Sequence, residues 1–88
     1  MPPTSWTIDV TFDEDDTQTD ATATLRLPDG SEVSTRGHAR RNPADPARPK
    51  IGEEIATARA LSAMVHELLD KAAGEIEEIT DEPAHLHV

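Results

Sequence analysis

The chain has 88 residues, a formal net charge of −10 and no cysteine, and only 2 % of its residues are aromatic. Without cysteine it can form neither disulfides nor thiolate metal sites, and no apolar run reaches the roughly 18 residues of a membrane-spanning helix. One small domain of this composition has little core volume, so we expect self-association to add stability.

The charge is unevenly distributed along the chain. Five basic side chains against one acid give residues 36–50 a net charge of +4, whereas residues 1–35 and 51–88 each have a net charge of −7. The overall charge opposes general nucleic-acid binding, because attraction to phosphate is long-ranged. A local basic face can still dock onto RNA if the acidic arms point elsewhere. The N-terminus lacks a basic patch followed by an apolar stretch, so we expect a cytoplasmic protein.

Apolar and polar residues alternate in two early segments. The pattern predicts strands at 5–12 and 21–27, each with one buried face, after a flexible N-terminus at 1–4. Residues 13–20 are polar and strongly acidic, which predicts a solvated loop between the two strands. In the first strand the apolar residues of the buried face are Trp6, Ile8, Val10 and Phe12.

A turn and a third strand follow. Residues 28–30, Pro-Asp-Gly, are typical of a tight turn. Alternation over 32–40 then predicts a third strand, and the three strands form an antiparallel meander. Its polar face is expected to stay in contact with water. Its two outer strands have unpaired edges, which favour dimerisation.

One long helix is predicted after a proline-rich connector at 42–50, which no strand or helix can continue through. The helix is expected to begin near Gly52 and to end or kink at Gly74, with a short second helix at 75–80. The sequence therefore predicts a single α+β domain over 1–88, in which a three-stranded antiparallel meander packs on a long C-terminal helix with a short second helix. The apolar stripe of the long helix is Ile51, Ile55, Ala58, Leu61, Val65, Leu68 and Ala72.

The basic centre is the one cluster that points to a function. Alternate residues of a strand share a face, so three of its members should project together, and arginine offers paired donors to phosphate. Two interpretations stay open: a site for RNA or another polyanion, or a set of surface ion pairs with the carboxylates of this acidic chain. The candidate residues are Arg36, His38, Arg40, Arg41, Arg48 and Lys50.

Catalytic and metal sites are not predicted. His38 has no nucleophile and orienting carboxylate at a recognisable spacing. His85 and His87 alternate on one face, but no second ligand pair accompanies them. We therefore expect a protein without enzymatic activity, cofactor or metal.

Four stretches of the sequence resemble a small actinobacterial family of unknown function, which includes a mycobacterial protein induced in hypoxic dormancy. They are residues 6–10, 39–45, 51–62 and 76–84, and the resemblance covers nearly the whole chain. It implies an α+β fold like that of the double-stranded-RNA-binding domain, a homodimer, and structural kinship with ribosome hibernation-promoting factors. It implies no catalytic residues.

Two functions are consistent with these features. The first is a non-enzymatic stress or dormancy protein that associates with the ribosome or RNA through the basic cluster. The alternative is a protein–protein interaction module whose acidic arms bind a basic partner.

Overall fold

A three-stranded antiparallel sheet and one long helix make up the folded chain. The computed structural model describes residues 3–42, 44 and 48–86. This architecture confirms the predicted α+β class and the meander, because the strands lie in the sheet in chain order. Within the described ranges, no helix is long and apolar enough to cross a membrane. The elements are β1 (Ile8–Glu14), β2 (Gln18–Arg26), β3 (Glu32–Arg40) and α1 (Pro49–Thr80).

The acidic segment 13–20 is not the loop that its composition predicts. β1 continues to Glu14 and β2 starts at Gln18, so only a tight turn separates the strands. The Asp15 carboxylate closes that turn, because its Oδ1 accepts hydrogen bonds from the backbone N–H groups of Thr17 at 2.8 Å and of Gln18 at 2.9 Å. These bonds stabilise the ionised carboxyl and lower the pKa of Asp15.

The apolar face of β1 is largely exposed, which corrects the prediction of a buried first strand. Trp6 precedes the strand and is 56 % exposed, while Ile8 and Phe12 are each 41 % exposed. The physical reason is the position of α1, which packs on β2 and β3 rather than on β1. The residues of β1 that face the helix side therefore lie at the margin of the core.

The core is narrow because small residues line both layers. Gly37 on β3 lies directly beneath α1, and a Cβ atom there would overlap the carbonyl oxygen of Ala56 and the backbone nitrogen of Ala60. The two backbones can approach this closely only because neither layer carries bulk at the crossing. The buried apolar residues are Ala21, Ala23, Leu25, Ala39, Ala56, Ala60 and Met64.

Two hydrogen bonds fasten α1 to β3. The buried Thr35 hydroxyl donates to the carbonyl oxygen of Ala60 at 2.7 Å. On the flank of the helix, Arg59 donates through Nη1 to the carbonyl oxygen of His38 at 2.7 Å. Both bonds connect residues more than 20 positions apart, so they fix the orientation of the helix on the sheet.

The helix is longer than predicted at both ends. It begins at Pro49, where the fixed φ of proline suits the first helical position, so the predicted connector is shorter by two residues. It continues through Gly74 to Thr80 without a second helix, and the salt bridge from Lys71 to Glu75 spans the glycine. Asp81 then adopts a left-handed conformation with φ of 58° and ends the helix.

Three of the sequence predictions fall partly outside the described residues. Of the predicted connector, residues 43 and 45–47 are not described. The same holds for residues 1–2 of the predicted flexible N-terminus and for His87 of the rejected histidine pair.

Candidate polyanion-binding face

The outer face of the sheet carries a short row of basic side chains. Arg36, His38 and Arg40 alternate along β3 with buried residues, so all three project away from α1 and are exposed. Alternate residues of a strand are roughly 6.8 Å apart. The row is therefore extended and regular, as the alternation in the sequence predicts.

The neighbouring strand introduces one carboxylate into this row. The register places Asp20 opposite His38, and Asp20 Oδ1 lies 3.3 Å from His38 Nδ1. This contact is an ion pair only when the histidine is protonated. Gln18 also donates to the same carboxylate at 3.2 Å, so Asp20 is held in place on both sides.

The two arginines of the row have a different environment. Arg36 lies opposite Thr22 and Arg40 lies opposite Gln18, and neither residue of β2 is charged. Within the described ranges, no carboxylate forms a salt bridge with Arg36 or Arg40. Both arginines are exposed, and the charge of Arg40 contributes to the lowered pKa of the nearby Asp15 carboxyl.

Arg41 has a structural role at the end of β3. Its guanidinium donates through Nε and Nη2 to the carbonyl oxygen of Asp16, at 3.1 and 2.9 Å. Its backbone N–H donates to the carbonyl oxygen of Thr17 at 2.7 Å. Arg41 thus fastens β3 to the turn between β1 and β2, and it is not part of the outward row.

The remaining predicted residues are divided between two places. Arg48 precedes α1 and, with Arg40 and Arg41, lines a cavity of about 660 Å³ between the end of the sheet and the start of the helix. Lys50 lies on the opposite flank of α1, beside Phe12. The structure therefore brings Arg36, His38 and Arg40 together but separates Lys50 from them.

Two residues of this region were not anticipated from the sequence. The sequence placed Asp20 in a loop and Arg59 on the helix without a partner. In the structure, Asp20 contacts the imidazole of His38, and Arg59 donates to the backbone carbonyl oxygen of the same residue. The signal for Asp20 was the turn at residues 28–30, whose register pairs position 20 with His38 once β2 begins at Gln18. No local pattern in the sequence indicates that Arg59 reaches a strand carbonyl.

The described part of the chain contains no group of three or more His, Cys, Asp or Glu side chains that could hold a metal ion. Ser34, the hydroxyl residue on the same face of β3 as His38, lies opposite Thr24, and the two hydroxyl oxygens are 3.4 Å apart. The outer face of the sheet therefore presents hydroxyl and guanidinium donors.

Comparison with known families gives a clear assignment. The profile of the Rv2632c-like family matches residues 4–85. The chain belongs to the Rv2632c-like family. It is 42 % identical over 81 residues to the uncharacterized protein Mb1767 of Mycobacterium bovis, covering 92 % of this chain and 85 % of the relative. It is 40 % identical over 76 residues to the uncharacterized protein Rv2632c of Mycobacterium tuberculosis, covering 86 % and 81 % of the two chains.

The fold is shared with a solved member of the Rv2632c-like family. The crystal structure of Rv2632c superposes with a TM-score of 0.82 at 36 % sequence identity, covering 94 % of this chain and 98 % of the other. The predicted resemblance to a family of unknown function is thereby confirmed. The family assignment carries no known activity to this chain, because these relatives are uncharacterized proteins.

Proposed function

We propose that this member of the Rv2632c-like family is a non-enzymatic, cytoplasmic stress or dormancy protein that binds the ribosome or RNA through the row Arg36, His38 and Arg40. The observation that carries the proposal is the exposure of Arg36 and Arg40, without a salt bridge to a described carboxylate, in a chain of net charge −10. Carboxylates are abundant, yet within the described ranges neither guanidinium group forms a salt bridge with one. Phosphate is the ligand that best matches them.

The binding mode would depend on the shape of the RNA backbone rather than on its bases. Both aromatic residues are remote from the row: Trp6 precedes β1, and Phe12 lies beside the flank of α1. Without an aromatic platform, bases cannot stack on this face. Hydroxyl groups of Thr24 and Ser34 on the same face are available for contacts to phosphate and to the 2′-OH. Recognition of this kind is typical of the double-stranded-RNA-binding-domain-like fold that the sequence resemblance implies.

The charges on the sheet face would orient the protein on its ligand. β3, with the basic row, is one edge of the sheet, and β1 is the other. Asp9 and Asp13 on β1 share the outer face with the basic row, because they alternate with the residues that face the helix side. A polyanion would therefore be drawn to the β3 edge and repelled from the β1 edge.

The proposal is tested with two charge-matched double variants. Arg36→Gln/Arg40→Gln removes the two outward arginines, while Arg26→Gln/Lys71→Gln removes two positive charges that are paired with Glu32 and Glu75. Binding to ribosomes is followed by co-sedimentation, and binding to duplex RNA by a fluorescence titration. If two phosphate contacts are made, wild-type affinity should fall roughly tenfold between about 50 and 200 mM salt.

We expect the first variant to lose binding and the second to bind like the wild type. Equal binding by the wild type and both variants would contradict a role of the basic row in binding. Equal loss in both variants would show that only the total charge matters. Arg41 is left unchanged because its guanidinium holds the β1–β2 turn.

The alternative is a protein–protein interaction module with a basic partner. It is favoured by the acidic edge of the sheet, where Asp9, Asp13 and Glu14 of β1 are all exposed. Under this alternative, Asp9→Asn/Asp13→Asn would weaken the association, and treatment with ribonuclease would leave it intact. Asp15 is excluded from the variant because it closes the turn.

A further inference from the structure

The cavity between the β1–β2 turn and the start of α1 has the size and shape of a small-molecule site. Its volume of about 660 Å³ lies within the roughly 300–1,000 Å³ that ligand pockets occupy. Thr19 and Ala39 line it and are buried. The start of the helix lies so close to β2 that a Cβ atom on Gly52 would be 2.8 Å from the Thr19 hydroxyl oxygen. The cavity is therefore bounded by the sheet and by the helix.

One wall of the cavity is apolar and exposed. Ile51 is 53 % exposed and Ile55 is 41 % exposed, and both line the cavity from α1. They belong to the apolar stripe predicted from the sequence, yet they lie outside the buried core. Residues four apart on a helix are neighbours, so the two side chains form one surface. A ligand with an apolar body would remove this surface from water, which is favourable.

Positive and negative charges occupy different sides of the cavity. The carboxylates that line it all belong to the β1–β2 turn and the strand end before it: Glu14, Asp15 and Asp16. Asp15 is directed into the turn by the hydrogen bonds that it accepts there. Arg48 lies on the other side, immediately before α1. It forms no salt bridge with a carboxylate in the described part of the chain.

The start of α1 adds positive potential beside Arg48. No acidic residue lies in the first turn, and Arg48 makes no side-chain cap hydrogen bond. Glu53 and Glu54 follow on the opposite flank of the helix. The positive end of the helix dipole is therefore not offset by a carboxylate of its own first turn. An anionic head group would be attracted to this side of the cavity and repelled from the turn side, so the charges favour one orientation.

We propose that the cavity binds a small acyl carboxylate, with its head group at Arg48 and its apolar chain over Ile51 and Ile55. Arginine offers paired donors to a carboxylate. A neutral apolar ligand would leave Arg48 without a partner, and a bare anion would leave the isoleucines exposed. The two features together therefore select a ligand that has both parts. The proposal does not rest on RNA binding, because the basic row lies on the outer face of the sheet.

The first test compares three ligands of the full chain by isothermal titration. Octanoate has the chain and the charge, octanol has the chain alone, and acetate has the charge alone. We expect octanoate to bind at one site per chain. Octanol should bind about tenfold more weakly because the charge-assisted hydrogen bonds are lost, and acetate should bind more weakly still because no apolar surface is buried. Octanol that binds as tightly as octanoate, or several octanoate sites per chain, would overturn the proposal.

The second test uses two variants of equal charge. Arg48→Gln removes the positive charge at the cavity, and Lys50→Gln removes one on the opposite flank of α1. We expect Arg48→Gln to weaken octanoate binding about tenfold and to leave octanol binding unchanged. Lys50→Gln should bind both ligands like the wild type. Equal octanoate affinity in Arg48→Gln and the wild type would overturn the assignment of the head group.

The third test locates the ligand without any substitution. In nitrogen-15 NMR spectra of the wild type, octanoate should shift the backbone amide signals of Thr19, Ala39 and Gly52, which line the cavity. The amide signal of Arg36, on the outer face of the sheet, should stay in place. Shifts that are absent from the cavity residues would overturn the site, whatever the affinity.

Discussion

Gly37 occupies the position on β3 where α1 crosses the sheet most closely. A methyl group there overlaps the backbone of Ala56 and Ala60, and neither backbone can yield without moving the helix. We predict that Gly37→Ala lowers the free energy of unfolding by about 2–3 kcal/mol, measured by urea denaturation. Gly74→Ala makes the same chemical change in open space within α1 and should raise it by about 0.5–1 kcal/mol. If both variants lose stability equally, backbone conformation and not the crossing determines the result.

Thr35 is the buried hydroxyl that connects β3 to α1. Thr35→Val keeps the shape of the side chain but removes the donor to the carbonyl oxygen of Ala60. We predict a loss of about 1 kcal/mol in the free energy of unfolding. Thr11→Val, the same replacement on the exposed face of β1, should stay within about 0.5 kcal/mol of the wild type. A stable Thr35→Val protein would mean that packing alone positions the helix.

At the scale of elements, the β1–β2 turn depends on an ionised Asp15. Its pKa is lowered by hydrogen bonds from Thr17 and Gln18. The stabilisation from this group is therefore present above its unfolded pKa, about 4, and is lost as the pH falls through the lower folded value. We predict that Asp15→Ala is less stable than the wild type at neutral pH and that the difference shrinks in acid. Urea denaturation of both proteins at several pH values measures this, and a constant difference would contradict it.

Comparing the predicted and observed elements shows which sequence patterns were sufficient to predict secondary structure. Alternation and helical periodicity identified all three strands and the helix, but not which faces are buried: β1 is largely exposed, and Ala56, Ala60 and Met64 face the sheet in place of the predicted helix stripe. The loop prediction at 13–20 was wrong because acidic composition does not show that the Asp15 side chain can stabilise a tight turn. Its carboxylate does so by accepting hydrogen bonds from two backbone N–H groups of the turn. The break predicted at Gly74 was wrong because a single glycine costs only about 1 kcal/mol in a helix, and helix-forming residues continue on both sides.

The candidate site was only partly predictable for a similar reason. The period of β3 was enough to group Arg36, His38 and Arg40, since neighbours on one strand are fixed by geometry. The contact with Asp20 was missed because β2 begins at Gln18, whereas the acidic composition of residues 13–20 had placed Asp20 in a loop. To predict that Lys50 lies apart from this row, one would need to know how the helix is placed on the sheet, and that placement is determined by packing.

At the scale of the whole molecule, the homodimer expected from the small core has a thermodynamic signature. If folding and association are coupled, the thermal midpoint should rise with protein concentration, because mass action favours the associated native state. Scanning calorimetry over a range of concentrations measures the midpoint. A midpoint that does not move with concentration would contradict the coupling.

The chain order of the elements has a consequence for translation. Each strand pairs with the next strand to be synthesised, so the hairpins are local contacts that a nascent chain can form early. Among the described residues, the inner face of β2 and β3 is covered by α1, which is synthesised after all three strands. A ribosome that stops before Pro49 would release a sheet whose alanine-lined face has no cover. Such a fragment would have no closed core, because the buried residues of β2 and β3 pack against those of α1.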